Sequence, residues 1–157
     1  FREELFEKFK LSILLIYTGI ARDSSKVIEQ NTNNIKKGNN KYLNYLHNQK
    51  KNIFKIIKLS NQNDLEKLCK EINKNWDYKN KLISNKYSRI KSLLNKLKKN
   101  GVYACKLSGA GNGGFIFCIY DSFEYYRISK LVNMYKNFFI IKPSLYKHGT
   151  KSIYIKN

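Results

Sequence analysis

The sequence predicts one α+β domain, in which an antiparallel sheet of four or five strands has helices packed on one face. Two observations predict it. Apolar residues recur at helical spacing between Leu43 and Leu97, and beyond Gly101 the pattern changes to short β-branched and aromatic runs that are typical of strands. The chain has 157 residues, 42% of them apolar, which is enough for one domain with its own core and hardly enough for two.

The first predicted elements are a strand and four helices. The apolar run Leu11–Tyr17 predicts the strand, and the polar turn after it leads into a helix for which Asp23 or Ser24 is a natural N-cap. Three amphipathic helices come next, the second capped by Asn61 or Asn63 and the third ended by basic residues and a glycine. Their apolar faces are Leu43, Leu46, Ile53 and Ile57; Leu65, Leu68, Ile72 and Trp76; and Tyr87, Ile90, Leu94 and Leu97.

The rest of the chain predicts a hairpin, a helix and two closing strands. The β-rich runs Val102–Leu107 and Phe115–Tyr120 flank the loop Ser108–Gly114. The elements after the hairpin are a helix from about Ser122 to Lys136, with Phe123, Tyr126 and Val132 inward, and the strands Phe138–Lys142 and Ser152–Lys156.

The formal net charge of +20 suits a polyanionic partner, so a basic α+β module that binds nucleic acid is one functional hypothesis. In that hypothesis Tyr125, Tyr126 and Tyr135 would stack on bases. Only four of the 31 basic residues are arginines, whereas specific recognition of phosphates and bases depends largely on the planar arginine fork. The composition therefore favours a lysine-rich solvated surface over a specific nucleic-acid site.

Cysteine and histidine usage indicates no metal site and no disulfide framework. Cys69, Cys105 and Cys118 are odd in number and lack metal-binding spacing, so we interpret them as reduced, buried, apolar residues of a cytoplasmic protein. His47 and His148 stand apart from the cysteines and from each other, and we assign them no catalytic or metal-binding role. No run of 18 apolar residues and no signal-peptide pattern occurs, so neither a membrane nor export is predicted.

The most informative stretch is the glycine-rich loop, with four glycines in the six residues Gly109–Gly114. Glycines permit positive φ, and consecutive N–H groups can then form a concave anion site. The β-rich run after the loop excludes a dinucleotide fingerprint, which needs a helix there, and no Gly-Lys-Ser/Thr follows to make a Walker A loop. A protein-kinase loop is excluded because its later motifs are missing. A glycine-rich turn without a ligand, in a folded interaction domain, remains an open alternative.

The segment Lys106–Phe115, with the sequence KLSGAGNGGF, resembles the third conserved motif of the GHMP kinases, a family that includes galactokinase and the homoserine and mevalonate kinases. Two further segments resemble the D-glycero-D-manno-heptose 7-phosphate kinase branch of that family. They are Leu15–Ser25, which contains Thr-Gly-x-x-Arg, and Trp76–Lys79, which contains Trp-x-x-Lys. The resemblance implies a ferredoxin-like C-terminal domain whose glycine loop lies near the transferred phosphate and the acceptor.

The resemblance also implies that half of an enzyme is missing. Nothing in the 157 residues matches the proline- and serine-rich glycine loop that holds the nucleotide in the family's N-terminal domain, where the catalytic aspartate also lies when present. We therefore expect residues 1–157 to be a single, C-terminal, substrate-side domain, cut from a longer chain because it begins with Phe1 rather than Met. Alone it should be inactive, because ATP and Mg²⁺ would be bound mainly by the family's N-terminal domain, its expected partner.

The candidate site residues form two groups. Because the family's catalytic aspartate lies in the N-terminal domain, the resemblance implies only binding roles for the residues of this chain. The phosphate-binding and substrate-binding loop would consist of Ser108, Gly109, Ala110, Gly111 and Gly113. The sugar phosphate would be held by Arg22, Ser24, Ser25, Lys79 and Lys106, because a guanidinium and a helix N-terminus suit a phosphate. Trp76 is expected in the core.

The resulting hypothesis is a sugar kinase that uses ATP, with D-glycero-D-manno-heptose 7-phosphate or a free hexose-type sugar as acceptor. It predicts no specific binding of nucleic acid and no membrane partner. Galactokinase-type, fucose-type and mevalonate-type chemistry stay open, because acceptor choice depends partly on the other half of the enzyme.

Overall fold

A computed structural model of the chain describes residues 7, 10–20, 24–62, 64–80, 88–109 and 113–144. The predicted strand Ser152–Lys156 and the predicted helix residue Tyr87 lie outside these ranges. The described residues form the helices α1 (Ser24–Lys36), α2 (Asn40–Ser60), α3 (Leu65–Asn80), α4 (Ser88–Lys98) and α5 (Tyr125–Asn133), and the strands β1 (Leu11–Tyr17), β2 (Val102–Leu107), β3 (Phe115–Asp121) and β4 (Phe139–Ile141).

The four strands form one antiparallel sheet in the order β2-β3-β1-β4. β1 pairs with β3 along its whole length and ends with Tyr17 opposite Phe115. It pairs with β4 near the same end, where Tyr17 lies opposite Phe139. The predicted α+β class and the antiparallel sheet of four strands are thereby confirmed, whereas the helices pack against both faces of the sheet rather than one. Because the glycine loop joins the end of β2 to the start of β3, it lies at the end of the sheet where β1 finishes.

Side chains alternate along the strands and divide the core into two clusters. In the first cluster, fully buried side chains of β1 and β3 pack against α4 and α5. In the second cluster, Ala104 and Ile119 pack against α3, with Ile56 and Leu59 of α2 beside them. The first cluster contains Leu14, Ile16, Ile116 and Cys118 from these two strands, Ile90, Leu93, Leu94 and Leu97 from α4, and Ile128 and Val132 from α5.

Helix α3 covers the edge of the sheet that β2 leaves unpaired. The side-chain amide of Asn73 donates to the Tyr103 carbonyl oxygen at 2.8 Å, and its side-chain oxygen accepts from the Cys105 backbone N–H at 3.2 Å. A further strand would bind these same backbone groups, so one asparagine satisfies part of an exposed edge. Ile72 belongs to the second cluster and Trp76 to the first, as expected for a helix that lies astride the edge.

The apolar face predicted for α2 is wrong in its second half. Ile53 and Ile57 are 49% and 54% exposed, and Ile56 and Leu59 pack against the core instead. Both pairs have helical spacing, because α2 carries apolar residues on two faces. Only the packing against α3 selects the face that is buried.

The inward residues predicted for the last helix are also partly wrong. Phe123 and Tyr126 are 76% and 75% exposed, whereas Val132 is buried as predicted. Residues Ser122–Glu124 form a separate 3₁₀ turn before α5 begins. This shorter helix buries Ile128 and Val132, which are one turn apart.

The cap predicted for α3 is replaced by a neighbouring residue. The Asp64 carboxylate accepts a hydrogen bond from the Lys67 backbone N–H at 3.0 Å, as an N-cap side chain does. Asn61 ends α2 instead, where its N–H bonds to the Leu59 and Lys58 carbonyl oxygens. Asn63 lies outside the described residues.

All three cysteines are buried and free, which confirms their predicted role as small core residues. Burial raises the pKa of Cys69 and of Cys105 to about 12 and the pKa of Cys118 well above its ordinary value. Burial and a raised pKa both disfavour the thiolate form, as is typical of structural rather than reactive cysteines.

Candidate functional site

The glycine loop closes a β-hairpin, and the predicted strand–loop–strand arrangement is confirmed. Leu107 pairs with Ile116 in the ladder between β2 and β3. Next to this pair, the Ser108 backbone N–H donates to the Phe115 carbonyl oxygen at 2.7 Å. β3 begins at Phe115, so no helix starts after the loop.

The described loop glycines have backbone conformations that favour glycine. Gly109, Gly113 and Gly114 have φ angles of +68°, +112° and +80°. Such residues turn the direction of successive N–H groups, which is how backbone loops form concave anion sites. Ala110 and Gly111, which the sequence also predicts as donors to phosphate, lie outside the described residues.

Lys79 contacts the first limb of the glycine loop. Its ammonium group donates a hydrogen bond to the Gly109 carbonyl oxygen. The two residues are 30 positions apart, and they meet because α3 runs along β2, to which Asn73 binds it. Trp76, one turn earlier, is buried in the core as predicted. The contact places a positive charge beside a candidate anion site.

The turn after β1 lies against the second limb of the loop. The Thr18 N–H donates to the Gly114 carbonyl oxygen at 2.9 Å, and the Gly114 N–H donates to the Ile20 carbonyl oxygen at 3.0 Å. Both backbone polar groups of Gly114 are therefore bound by the turn. Ser24 follows Ile20 by four residues, so the start of α1 is within about 14 Å of it along the chain.

The other predicted site residues are placed as follows. Arg22 lies outside the described residues, as does the side chain of Ser24, which is the first residue of α1. Ser25 is exposed in the first turn of that helix. Lys106 is half-buried on β2, in register with Phe117. The structure thus brings Lys79 to the loop, and α1 begins four residues after Ile20, which binds Gly114.

Sequence reasoning missed Thr18 as a site residue. Thr18 is 1% exposed, and its Oγ1 donates to the Gly114 carbonyl oxygen at 2.9 Å. It continues the alternation of the buried residues Leu14 and Ile16 one step beyond the strand. That alternation is a signal that would have predicted an inward, hydrogen-bonded hydroxyl.

A row of aromatic rings at the same end of the sheet was also missed. The Tyr17 ring lies 5.1 Å from the Phe115 ring and 4.9 Å from the Phe139 ring, centroid to centroid. These residues come from three strands that are adjacent only in the folded sheet. Phe139 is 51% exposed, so the row borders the loop with an accessible apolar edge.

No three His, Cys, Asp or Glu side chains come together as metal ligands would, among the residues that the structure describes. Within the same ranges, no helix is long and apolar enough to cross a membrane.

Comparison with known families decides which family this site comes from. Residues 56–128, which include Lys79 and the whole glycine loop, match the family described as "GHMP kinases C terminal". This stretch is a GHMP kinase C-terminal domain. The match confirms the family that the glycine loop indicates.

A curated relative is similar in sequence to most of this chain. It is the D-glycero-alpha-D-manno-heptose 7-phosphate kinase of Campylobacter jejuni, which is 29% identical over 141 residues. The alignment covers 88% of this chain and 40% of the relative, so the chain spans about 40% of the length of the curated protein that it matches.

Solved structures share the fold of this chain. A mevalonate kinase from L. major, in complex with R-mevalonate, has a TM-score of 0.65 at 22% identity, over 85% of this chain and 43% of its own. A putative sugar kinase from Campylobacter jejuni has a TM-score of 0.54 at 18% identity, over 90% of this chain and 35% of its own. Both likenesses support the α+β architecture.

Proposed function

We propose that this chain is the acceptor side of an ATP-dependent kinase that transfers the γ-phosphate to a hydroxyl group of a sugar or sugar phosphate. The observation that carries the proposal is the meeting of three distant segments at one end of the sheet. The glycine loop touches Lys79 through Gly109 and touches the turn after β1 through Gly114. The name of the Campylobacter jejuni relative supports heptose 7-phosphate as the first acceptor to test.

The residues of this chain suit phosphoryl transfer because that reaction depends mostly on positioning and on electrostatic stabilisation. Backbone N–H groups of Gly109–Gly113, together with the Ser108 hydroxyl group, would donate to phosphate oxygens. The Lys79 ammonium, held beside Gly109, would offset the negative charge that gathers there. These groups would orient the phosphate relative to the acceptor hydroxyl.

The phosphate of a sugar phosphate would bind on the other side of the loop. Ser24 and Ser25 are the first two residues of α1, and Arg22 precedes them in the sequence. A helix N-terminus attracts anions through its backbone N–H groups. A guanidinium group adds paired hydrogen bonds to the same anion. Lys106 on β2 would contribute a further positive charge from the sheet.

ATP would supply the transferred phosphoryl group, accompanied by Mg²⁺. The glycine loop suits the phosphate part of the nucleotide, but the described residues contain no cluster of carboxylates for the metal ion. We therefore assign most of the nucleotide and metal binding to an N-terminal domain outside this chain, and expect the chain alone to be inactive. The cytoplasm, where ATP is abundant, is the proposed location.

The test is a panel of acceptors offered with MgATP to the full-length protein that carries this chain. The panel contains D-glycero-D-manno-heptose 7-phosphate, the unphosphorylated heptose, galactose, fucose and mevalonate, and the readout is ADP release together with ³¹P NMR of the product. We expect the heptose 7-phosphate to have the highest kcat/KM. Absence of transfer to every acceptor would refute the kinase proposal, and preference for mevalonate would refute the sugar assignment.

Substitutions of Lys79 and Arg22 test the roles proposed for these two residues. Lys79→Met should lower kcat/KM by about a hundredfold, because a donor beside transferring phosphate is lost. Lys74→Met is the matched control, since Lys74 is exposed on the same helix and the change in net charge is the same. Arg22→Ala should raise KM for the phosphorylated heptose more than for the free sugar. Equal effects of Lys79→Met and Lys74→Met would contradict the assigned role of Lys79.

A further inference from the structure

The hydroxyl group of Thr18 makes a buried hydrogen bond that the sheet itself does not require. The ladder continues past β1 through the backbone bond from the Thr18 N–H to the Gly114 carbonyl oxygen, at 2.9 Å. Thr18 Oγ1 donates to that same oxygen, also at 2.9 Å. A carbonyl oxygen has two lone pairs and accepts both bonds. With Thr18 only 1% exposed, water does not compete for the second one.

The contact between the turn and the loop leaves no space for a side chain on either Gly113 or Gly19. A Cβ atom built on Gly113 would lie 2.7 Å from Cγ2 and 2.9 Å from the carbonyl oxygen of Ile20. On the other side of the turn, a Cβ atom built on Gly19 would lie 2.8 Å from the Asn137 carbonyl oxygen. The turn is therefore packed between the glycine loop and the segment before β4. A displacement of the turn must move the loop as well.

We propose that Thr18 is a positioning residue that fastens the glycine loop to the turn before α1, so that the phosphate-binding and acceptor-binding groups keep one geometry. This inference rests on the proposed function. Lys79 holds the first limb of the loop through Gly109, and Thr18 holds the second limb through Gly114. The two anchors come from different elements, and Thr18 belongs to the segment that leads directly to Arg22 and Ser24.

The substitution Thr18→Val tests the inference with little change in shape. Valine replaces the hydroxyl with a methyl group, and the Gly114 carbonyl oxygen keeps its bond from the backbone N–H, so the chain should still fold. Thr18→Ser restores the hydroxyl without the methyl group. Thr32→Val is the matched control, because the Thr32 hydroxyl also donates to a backbone oxygen at 2.9 Å, but on the exposed side of α1.

Kinetics of the full-length protein with MgATP and its best acceptor are the first readout. Thr18→Val should lower kcat by roughly tenfold to a hundredfold, because small misplacements of reacting groups are costly in rate. KM for ATP should change by less than about threefold, since binding contacts are retained. Thr18→Ser should restore most of kcat, and Thr32→Val should leave it unchanged. A residue that only supported folding would lower the active fraction and the melting temperature without this pattern of rescue.

Backbone hydrogen exchange of the same proteins is the second readout, and it does not depend on turnover. The backbone amides of Thr18 and Gly114 should exchange roughly five to ten times faster in Thr18→Val. This factor corresponds to the net stabilisation that one neutral hydrogen bond typically contributes. Unchanged exchange, or unchanged kcat, overturns the inference, as does failure of Thr18→Ser to restore kcat. If the unaltered protein phosphorylates no acceptor, the proposed function has failed, and the exchange rates alone decide whether Thr18 fastens the loop.

Discussion

At the residue scale, Gly38 and Gly113 both have positive φ but lie in different surroundings. Gly38 has φ of +60°, and a Cβ atom built on it meets nothing within 4 Å. Gly113 has φ of +112°, and its Cβ atom would lie 2.7 Å from Ile20. The first glycine is needed only for its backbone conformation, whereas the second also keeps the loop in contact with the turn.

We predict that Gly113→Ala lowers the free energy of unfolding by about 2–4 kcal/mol, the sum of backbone strain and overpacking. Gly38→Ala, the matched control, should lower it by only about 1–2 kcal/mol, because it has the strain without the clash. Urea denaturation of the three proteins measures the difference. Equal losses would mean that the turn moves away easily, and would weaken the case for a rigid link between turn and loop.

Sequence and structure agree on the residues of the loop for a local reason. A run of glycines shows directly that the chain needs positive φ, and Gly109, Gly113 and Gly114 have it. Thr18 has no such local sign, because its importance comes from the oxygen of a residue 96 positions away. Lys79 was found by its motif, although its contact with Gly109 also depends on the fold.

At the element scale, α3 links the exposed edge of the sheet to the candidate site. Asn73 binds the edge of β2, and Lys79 reaches the loop from the last turn of the same helix. The two residues are six positions apart on one helix, so the position of one side chain determines where the other can lie.

We predict that Asn73→Ala lowers the free energy of unfolding by about 1–3 kcal/mol, because the Tyr103 carbonyl and the Cys105 N–H lose their partners. Asn95→Ala on the exposed face of α4 is the control and should cost less than about 0.5 kcal/mol. Thermal and urea unfolding test both. If the two variants are equally stable, water replaces the asparagine at the edge, and α3 is held mainly by its apolar residues.

The helices show how much of the structure can be predicted from the spacing of apolar residues. In α3, Leu68, Ile72 and Trp76 are buried as the sequence predicts, because this helix has one apolar face. Helix α2 has two, and the sequence cannot say which one the neighbouring helix covers. In α5 the buried face shifts because the preceding 3₁₀ turn delays the start of the helix. Local spacing therefore predicts that a helix exists more reliably than it predicts its orientation.

At the scale of the whole molecule, the net charge of +20 is the dominant property of the surface. Such a field attracts any anion, whether it is a nucleotide, a sugar phosphate or a nucleic acid. In the proposed function, the site at the end of the sheet, with its loop and Lys79, would distinguish a small phosphate from a polymer. The charge alone does not.

We predict that the chain binds nucleic acid weakly, without sequence preference and with a steep dependence on salt. If about six phosphates are contacted, the affinity should fall by about a thousandfold between 50 and 200 mM salt. Fluorescence anisotropy with matched and scrambled oligonucleotides measures both properties. Selective binding that persists at 150 mM salt would support the nucleic-acid module over the sugar kinase.

The α+β class, the hairpin around the glycine loop and the family of residues 56–128 can all be predicted from the amino-acid sequence. These follow from periodicity and from short motifs, which are local properties of the chain. Three contacts become visible only in the folded chain: Lys79 with Gly109, Thr18 with Gly114, and Asn73 with the edge of β2. Each of these contacts joins residues at least 30 positions apart, and their distance in space depends on how helices and strands pack, which no local pattern encodes.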